Sequence, residues 1–293
     1  MKSYQLIEAL KQRPWRSQEY NPSGNRLWTV PSMLIDEEKK MLSYITQYVF
    51  EGKGHILDLG CSIGGSTAFL SHGLSNNSYS NYWKIHSFDL FQVGNYERKT
   101  FFPLHNIEIP ADSNMFPLFQ KHTAPWSQLI EVHAGNILDY AWSGESIEIL
   151  FVDIMKSAEL YDYVIETFFP CLIPGESIII LQDYLFVSSG PWHIVLMELL
   201  KDKITRISHT AINSVIYLCT DRITQEDIEN CKWDNISHSK KGESIARAAV
   251  NWDSENQEIL FKILSRYVEG SYEGWGKHFN TALRQEKDIE KSI

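Results

Sequence analysis

The sequence predicts a doubly wound α/β domain, and three observations carry that prediction. A short apolar run, His55 to Leu59, meets a glycine turn, Gly60-Cys61-Ser62-Ile63-Gly64-Gly65, and an apolar helical segment opens at Ser66-Thr67-Ala68. Further apolar runs at 84–88, 129–132, 147–152 and 177–181 alternate with helix-like segments, the pattern of parallel strands joined by crossovers. The run Ser177-Ile178-Ile179-Ile180-Leu181 is continuous rather than alternating, as expected of a strand buried on both faces.

Ahead of the turn, residues 3–12 place Leu6, Ile7 and Leu10 on one side of a short helix that Pro14 stops. A second helix begins near Ser32 or Asp36 and reaches about Phe50, and Gly52 and Gly54 end it before the first strand. Residues 91–127 carry Pro103, Pro110, Pro117 and Pro125 among many aromatics and read as one long irregular connection. A helix over 161–171, the turn Pro174-Gly175, a helix over about 192–201 and strands at 204–209 and 213–219 complete the domain. Beyond Asp221 the chain turns polar. There Thr224-Gln225-Glu226-Asp227 reads as a helix start, a helix is expected near 253–268, and Tyr267, Tyr272 and Trp275 mark apolar surface to bury. The boundaries that follow are an N-terminal helical cap over 1–50, the α/β domain over 51–220 and a mainly helical extension over 221–293.

With 293 residues, 43% of them hydrophobic, the chain has ample material for a packed core. A net charge of −10 leaves no basic surplus to neutralise phosphates, so no nucleic-acid partner is expected. No apolar run approaches the ~20 residues that span a bilayer, and Met1-Lys2-Ser3-Tyr4-Gln5 does not open a signal peptide. No membrane partner and a cytoplasmic location are therefore expected. Cys61, Cys171, Cys219 and Cys231 are scattered without a Cys-x-x-Cys pair, as in a reduced protein. The histidines lack a His-x-x-x-His spacing, so zinc is not expected, and His133 reads as structural.

Two ligands suit a strand–glycine turn–helix unit: a dinucleotide and S-adenosylmethionine. A pyrophosphate needs glycine where backbone must approach it, and here that intermediate position holds Ser62. Asp58 suits an ammonium better than a phosphate. Asp89 ends the next strand, where a carboxylate can accept from both ribose hydroxyls. Gly135-Asn136 follows the third strand, where an amide can read an adenine edge.

The succession Asp58-x-Gly60-x-x-x-Gly64, Asp89 and Asp153 resembles the class I S-adenosylmethionine-dependent methyltransferases. Asp153-Ile154-Met155-Lys156 is similar to the Asp-x-x-Lys of catechol and caffeoyl-CoA O-methyltransferases. The run from Phe168 to Gly175, followed by Gln182-Asp183-Tyr184, resembles the macrocin-type branch. The resemblance covers about residues 32–219 and implies a Rossmann-like, mostly parallel seven-stranded sheet with helices on both faces. It also implies a cofactor pocket in which Gly60, Ser62, Gly64 and Ser66 shape the methionine end, with Asp58 near the amino group. Asp89 would then hold the ribose, Asn136 would approach the adenine, and Asp153 would close the pocket. Ser62 departs from the commonest pattern, which has glycine.

Methyl transfer from a sulfonium is an in-line displacement, so the enzyme must align the acceptor oxygen, take its proton and exclude water. Asp153 and Gln182-Asp183 end adjacent strands at the edge where α/β sheets bind ligands. As a metal set, Asp153, Gln182 and Asp183 suit a hard cation such as Mg²⁺, held weakly because Gln182 adds no charge. Lys156 is a general base if desolvation lowers its pKa, and His193 is the alternative base. The aromatics Phe91, Tyr96, Phe101 and Trp126 suit a lid over a sugar or phenol ring. The leading expectation is O-methylation of a small-molecule or glycan hydroxyl. A catalytically silent binding module is the second reading and an NAD-dependent oxidoreductase the third. The C-terminal helix offers a surface for a homo-oligomer or a lid.

Overall fold

The computed structural model describes residues 2, 4–24, 26–109 and 114–272. The elements in chain order are α1 (Tyr4–Lys11), α2 (Asp36–Tyr44), β1 (His55–Leu59), α3 (Gly65–Ser75), β2 (Ile85–Asp89), α4 (Phe102–Leu104) and α5 (Phe116–Thr123). There follow β3 (Ile130–Ala134), β4 (Ile147–Val152), α6 (Ala158–Thr167), β5 (Ile178–Leu181), α7 (Trp192–Leu199), β6 (Ile204–His209) and β7 (Val215–Cys219). The extension carries α8 (Gln225–Cys231), α9 (His238–Val250) and α10 (Ser254–Val268).

The seven strands form one sheet in the order β3-β2-β1-β4-β5-β7-β6. The first five pair in parallel, and the β6–β7 hairpin adds antiparallel strands beside β5. The seven-stranded, mostly parallel sheet expected from the sequence is thus present. Strand order reverses at β1, which lies between β2 and β4, so the carboxyl ends of β1 and β4 open a crevice beside the glycine turn.

Alternate residues of the strands feed two separate cores. Leu57, Leu59, Leu150, Val152, Ile179 and Leu181 pack with α6, α7 and the helices of the extension. Ile56, Ile149, Phe151, Ile178 and Ile180 pack with α3 and the N-terminal segment, including Trp15, Leu27 and Met41. Burying both faces explains why β4 and β5 read as unbroken apolar runs. Lys2 anchors the start of the chain, its Nζ donating to Glu148 Oε1 at 2.7 Å in the interior.

Some local expectations change. Within the stretch expected to be irregular, residues 102–104 and 116–123 are helical: α4 and α5 each carry proline in the first turn, where its missing N–H costs nothing. The helix expected over 161–171 begins earlier, because Ser157 accepts from Leu160 N at 3.2 Å as its N-cap. Helix α9 was not anticipated; its Ser237 cap precedes a lysine-rich first turn with little apolar periodicity. Thr224 and Asp253 cap α8 and α10 at the expected places. Trp275 lies outside the described residues.

Candidate active site

A cavity of about 410 Å³ opens at the carboxyl ends of β1, β4 and β5. The turn after β1 supplies one wall through Gly60, Cys61, Ser62, Ile63, Gly65 and Ser66. Asp153 and Lys156 from the β4–α6 loop, with Gln182, Asp183 and Asn213, form the opposite wall. Pro31 to Leu34 also line the cavity, and Tyr96, Phe101 and Phe186 provide aromatic surface. Of the residues singled out in the sequence, Gly60, Ser62, Ser66, Asp153, Lys156, Gln182 and Asp183 therefore meet in one cavity. Asp58, Gly64, Asp89, Asn136 and His193 do not line it.

The turn's shape follows from its backbone. Gly60 and Gly64 have φ of 97° and 96°, and Ser62 between them also sits in the left-handed region at 47°. A Cβ on Gly60 would lie 2.8 Å from Ile154 Cγ2 and 3.0 Å from the Asp153 carbonyl oxygen. That glycine lets the turn touch the β4–α6 loop. Gly65 is pressed against Ser32, whose Cβ would be 2.6 Å from an added Cβ, so the N-terminal segment lies directly on the start of α3.

Asp58 corrects an expectation. It is fully buried beneath α3, and its carboxylate accepts from the hydroxyls of Ser66 and Thr67. Burial pushes its carboxyl up to about 7 against those two donors. It braces the turn from below instead of facing a ligand's ammonium. Asp89 is likewise bound to the chain: Ser62 N donates to Oδ2 at 2.7 Å and Phe91 N to Oδ1 at 2.6 Å. Burial raises its carboxyl while these amides pull it down, with a net rise. Asn136 is exposed, and its side-chain oxygen accepts from Leu138 N at 3.3 Å, capping the turn after β3.

On the opposite wall the Lys156 ammonium bridges two carboxylates. It lies 2.8 Å from Asp153 Oδ1 and is paired with Asp183 Oδ2. A tight local turn, Lys156 N to Ile154 O at 2.7 Å, brings it back over Asp153 within the loop after β4. Burial works to lower the ammonium pKa, but the two carboxylates outweigh it and hold Lys156 raised and protonated. The role of Lys156 as base is corrected accordingly. It is the site's fixed cation.

The two acids separate. Burial lifts the Asp153 carboxyl to about 6, against Lys156 and with help from Asp183 and Glu38. Burial acts the same way on Asp183, but Lys156 and the Ser189 hydroxyl, donating at 2.9 Å, overcome it and lower its pKa. Asp183 holds a φ of 60°, an unusual conformation at a cavity wall. Two carboxylates driven apart in this way sort into a permanent anion and a proton acceptor near neutral pH.

His193 is 1% exposed, with no hydrogen-bond partner for either ring nitrogen among the described residues. Burial and the Lys156 charge push it down to about 3, so it is a neutral ring inside α7 rather than a base in the cavity. Sequence reasoning missed Glu38. It is buried on α2, and the Ser214 hydroxyl, with a single proton to give, lies between Glu38 Oε1, at 2.9 Å, and Gln182 Oε1. The only signal was its place in the first turn of a helix whose docking was unknown.

The donor set does not fit Mg²⁺. Lys156 occupies both carboxylates and Gln182 Oε1 is committed to Ser214, so the chain supplies its own cation where the metal was expected. The turn wall holds no cation among the described residues; Gly60, Cys61, Ser62, Ile63, Gly65 and Ser66 line it, and the Ser66 hydroxyl is turned to Asp58.

The fold defines a class, the seven-stranded α/β domain with an antiparallel terminal hairpin, and solved structures similar to it include O-methyltransferases. The O-methyltransferase NovP matches with TM-score 0.49 and 11% identity over 74% of this chain and 99% of its own. The calicheamicin methyltransferase CalS11 matches with TM-score 0.47 and 15% identity over 75% and 94%. An O-methyltransferase from Bacillus cereus, in complex with SAH, matches with TM-score 0.43 and 13% identity over 74% and 99%. No family model matches the chain, and no curated protein matches it in sequence.

Proposed function

We propose that this chain is an S-adenosylmethionine-dependent O-methyltransferase acting on a small-molecule or glycan hydroxyl, without a metal at the acceptor site. The observation that carries this reading is the single cavity in which the glycine turn faces Asp153, Lys156 and Asp183. The cofactor would supply a methyl group on a sulfonium, a leaving group that needs no protonation.

The chain's own residues do the rest. Gly60, Ser62 and Ser66 shape the donor wall, and Asp89 holds Ser62 in place from behind. Asp153 takes the acceptor's proton, since its carboxyl is raised towards neutrality while remaining a carboxylate at pH 7. Lys156 and Asp183 fix its orientation and balance its charge. Tyr96, Phe101 and Phe186 give flat apolar surface on which a sugar or phenol ring can rest. Pro31 to Leu34 of the N-terminal segment line the cavity, and α9 of the extension buttresses α7.

The test is incubation of the chain with S-adenosylmethionine and a panel of sugar and phenolic acceptors, read by mass spectrometry for a gained methyl. A methylated hydroxyl product is expected. Saturating cofactor binding with no product across the panel would favour the silent binding module.

A further inference from the structure

Outside the cavity, on the face of the sheet that carries Leu57 and Phe88, β1, β2 and β3 bring three imidazoles into line. His55 Nδ1 lies 2.9 Å from His86 Nε2, and His86 Nδ1 lies 3.0 Å from His133 Nε2. Glu131 aligns with His86 across the β2–β3 ladder, and its Oε1 is 3.9 Å from His133 Nε2. The ligand atoms of His86, Glu131 and His133 all lie within 4.8 Å of one another.

From this geometry we propose that His86, Glu131 and His133 bind a divalent transition ion of the zinc class, clipping edge strand β3 to β2.

Two imidazoles and one carboxylate are a borderline N/O donor set, which favours Zn²⁺ and its neighbours over Mg²⁺ or Ca²⁺. Two nitrogens each about 2.0–2.1 Å from a tetrahedral ion lie roughly 3.3 Å apart, so His86 and His133 need to separate only slightly. Glu131 is the adjustable ligand: its side chain is half exposed, which lets its carboxylate swing in and leaves a path for the ion.

The rest of the row fits an outer shell. With His86 Nδ1 turned to the ion, its Nε2–H donates to His55 Nδ1, and His55 Nε2–H faces the Glu145 carboxylate at 3.4 Å. One proton arrangement therefore satisfies every contact, in the manner of imidazole ligands oriented through their second nitrogen. The Trp142 ring packs edge-on against both His55 and His86, 5.3 Å from each, and holds the rings in register. None of these residues lines the cavity, so the site is independent of the methyl-transfer reading.

The test is titration of the full, tag-free, chelator-stripped chain with Co²⁺, read by visible absorption and by competition with Zn²⁺. One equivalent with the intense bands of tetrahedral coordination is expected. Binding should disappear in His133→Ala and weaken about tenfold or more in Glu131→Gln and in His55→Phe. Glu131→Gln changes a surface side chain and carries the test even where His133→Ala does not fold, circular dichroism reporting which has happened. No stoichiometric uptake by the wild type, binding unchanged in Glu131→Gln, or binding abolished by Asp153→Asn instead would overturn the proposal.

Discussion

The two walls of the cavity satisfy their buried carboxylates in different ways. Behind the turn, Asp58 and Asp89 are held by neutral donors: the Ser66 and Thr67 hydroxyls and the amides of Ser62 and Phe91. Across the cavity, Asp153 and Asp183 share a cation, Lys156. Neutral donors commit a carboxylate's oxygens and fix a shape. A cation shared by two acids instead divides their titrations, leaving one poised to accept a proton. One wall keeps geometry and the other keeps charge.

The largest break in that contrast comes from Asp153→Asn, which removes the acceptor of the proton. Turnover should fall by about 10²–10⁴-fold, measured as initial rate at saturating donor. Lys156→Met should come next. In the wild type the rate is lost as pH falls through about 6, because Asp153 becomes protonated, and is held above it. Lys156 favours the charged form, so without it that midpoint should rise by roughly 1–2 pH units and the rate at pH 7 should drop about two- to tenfold. A pH–rate profile checks both.

On the turn side the effects are smaller and fall on binding and stability. Asp89→Ala frees the Ser62 and Phe91 amides and should weaken donor binding about tenfold with a lesser effect on the bound rate, read by calorimetry against kcat. Asp58→Asn should stabilise the fold. Its carboxyl titrates near 7 when folded against 3.8 as a free side chain, so the unfolded chain loses the proton first as pH rises. Wild-type stability therefore declines between those two values and stays low above 7. The variant's Tm should exceed the wild type's by roughly 3–6 °C at pH 8, and the gap should close near pH 4.

How much of this was legible in the sequence depends on how local each feature is. The strands and the glycine turn were, because Ile178 to Leu181 and Gly60 to Gly65 declare their structure through adjacent residues. The chemistry of Asp153 and Asp183 was legible as position, since both end strands at the ligand-binding edge. Their charge states were not: that Lys156 stays protonated depends on Asp183, 27 residues further along the chain, meeting it beside Asp153. Glu38 reaches Ser214 across 176 residues of sequence, and His86 meets His133 only through strand pairing, which no His-x-x-x-His spacing could announce. Helix α9 escaped notice because its apolar face is thin and the core it joins is built by distant elements.

The central claim is that the turn wall holds the methyl donor while the acid wall performs the chemistry. Calorimetric titration of S-adenosylhomocysteine into the wild type, Asp153→Asn and Asp89→Ala tests it most directly. Stoichiometric binding by the wild type, kept within about threefold in Asp153→Asn and weakened about tenfold in Asp89→Ala, is the predicted result. A folded wild-type chain that binds none of it, or an Asp153→Asn variant that loses as much affinity as Asp89→Ala, would contradict the account.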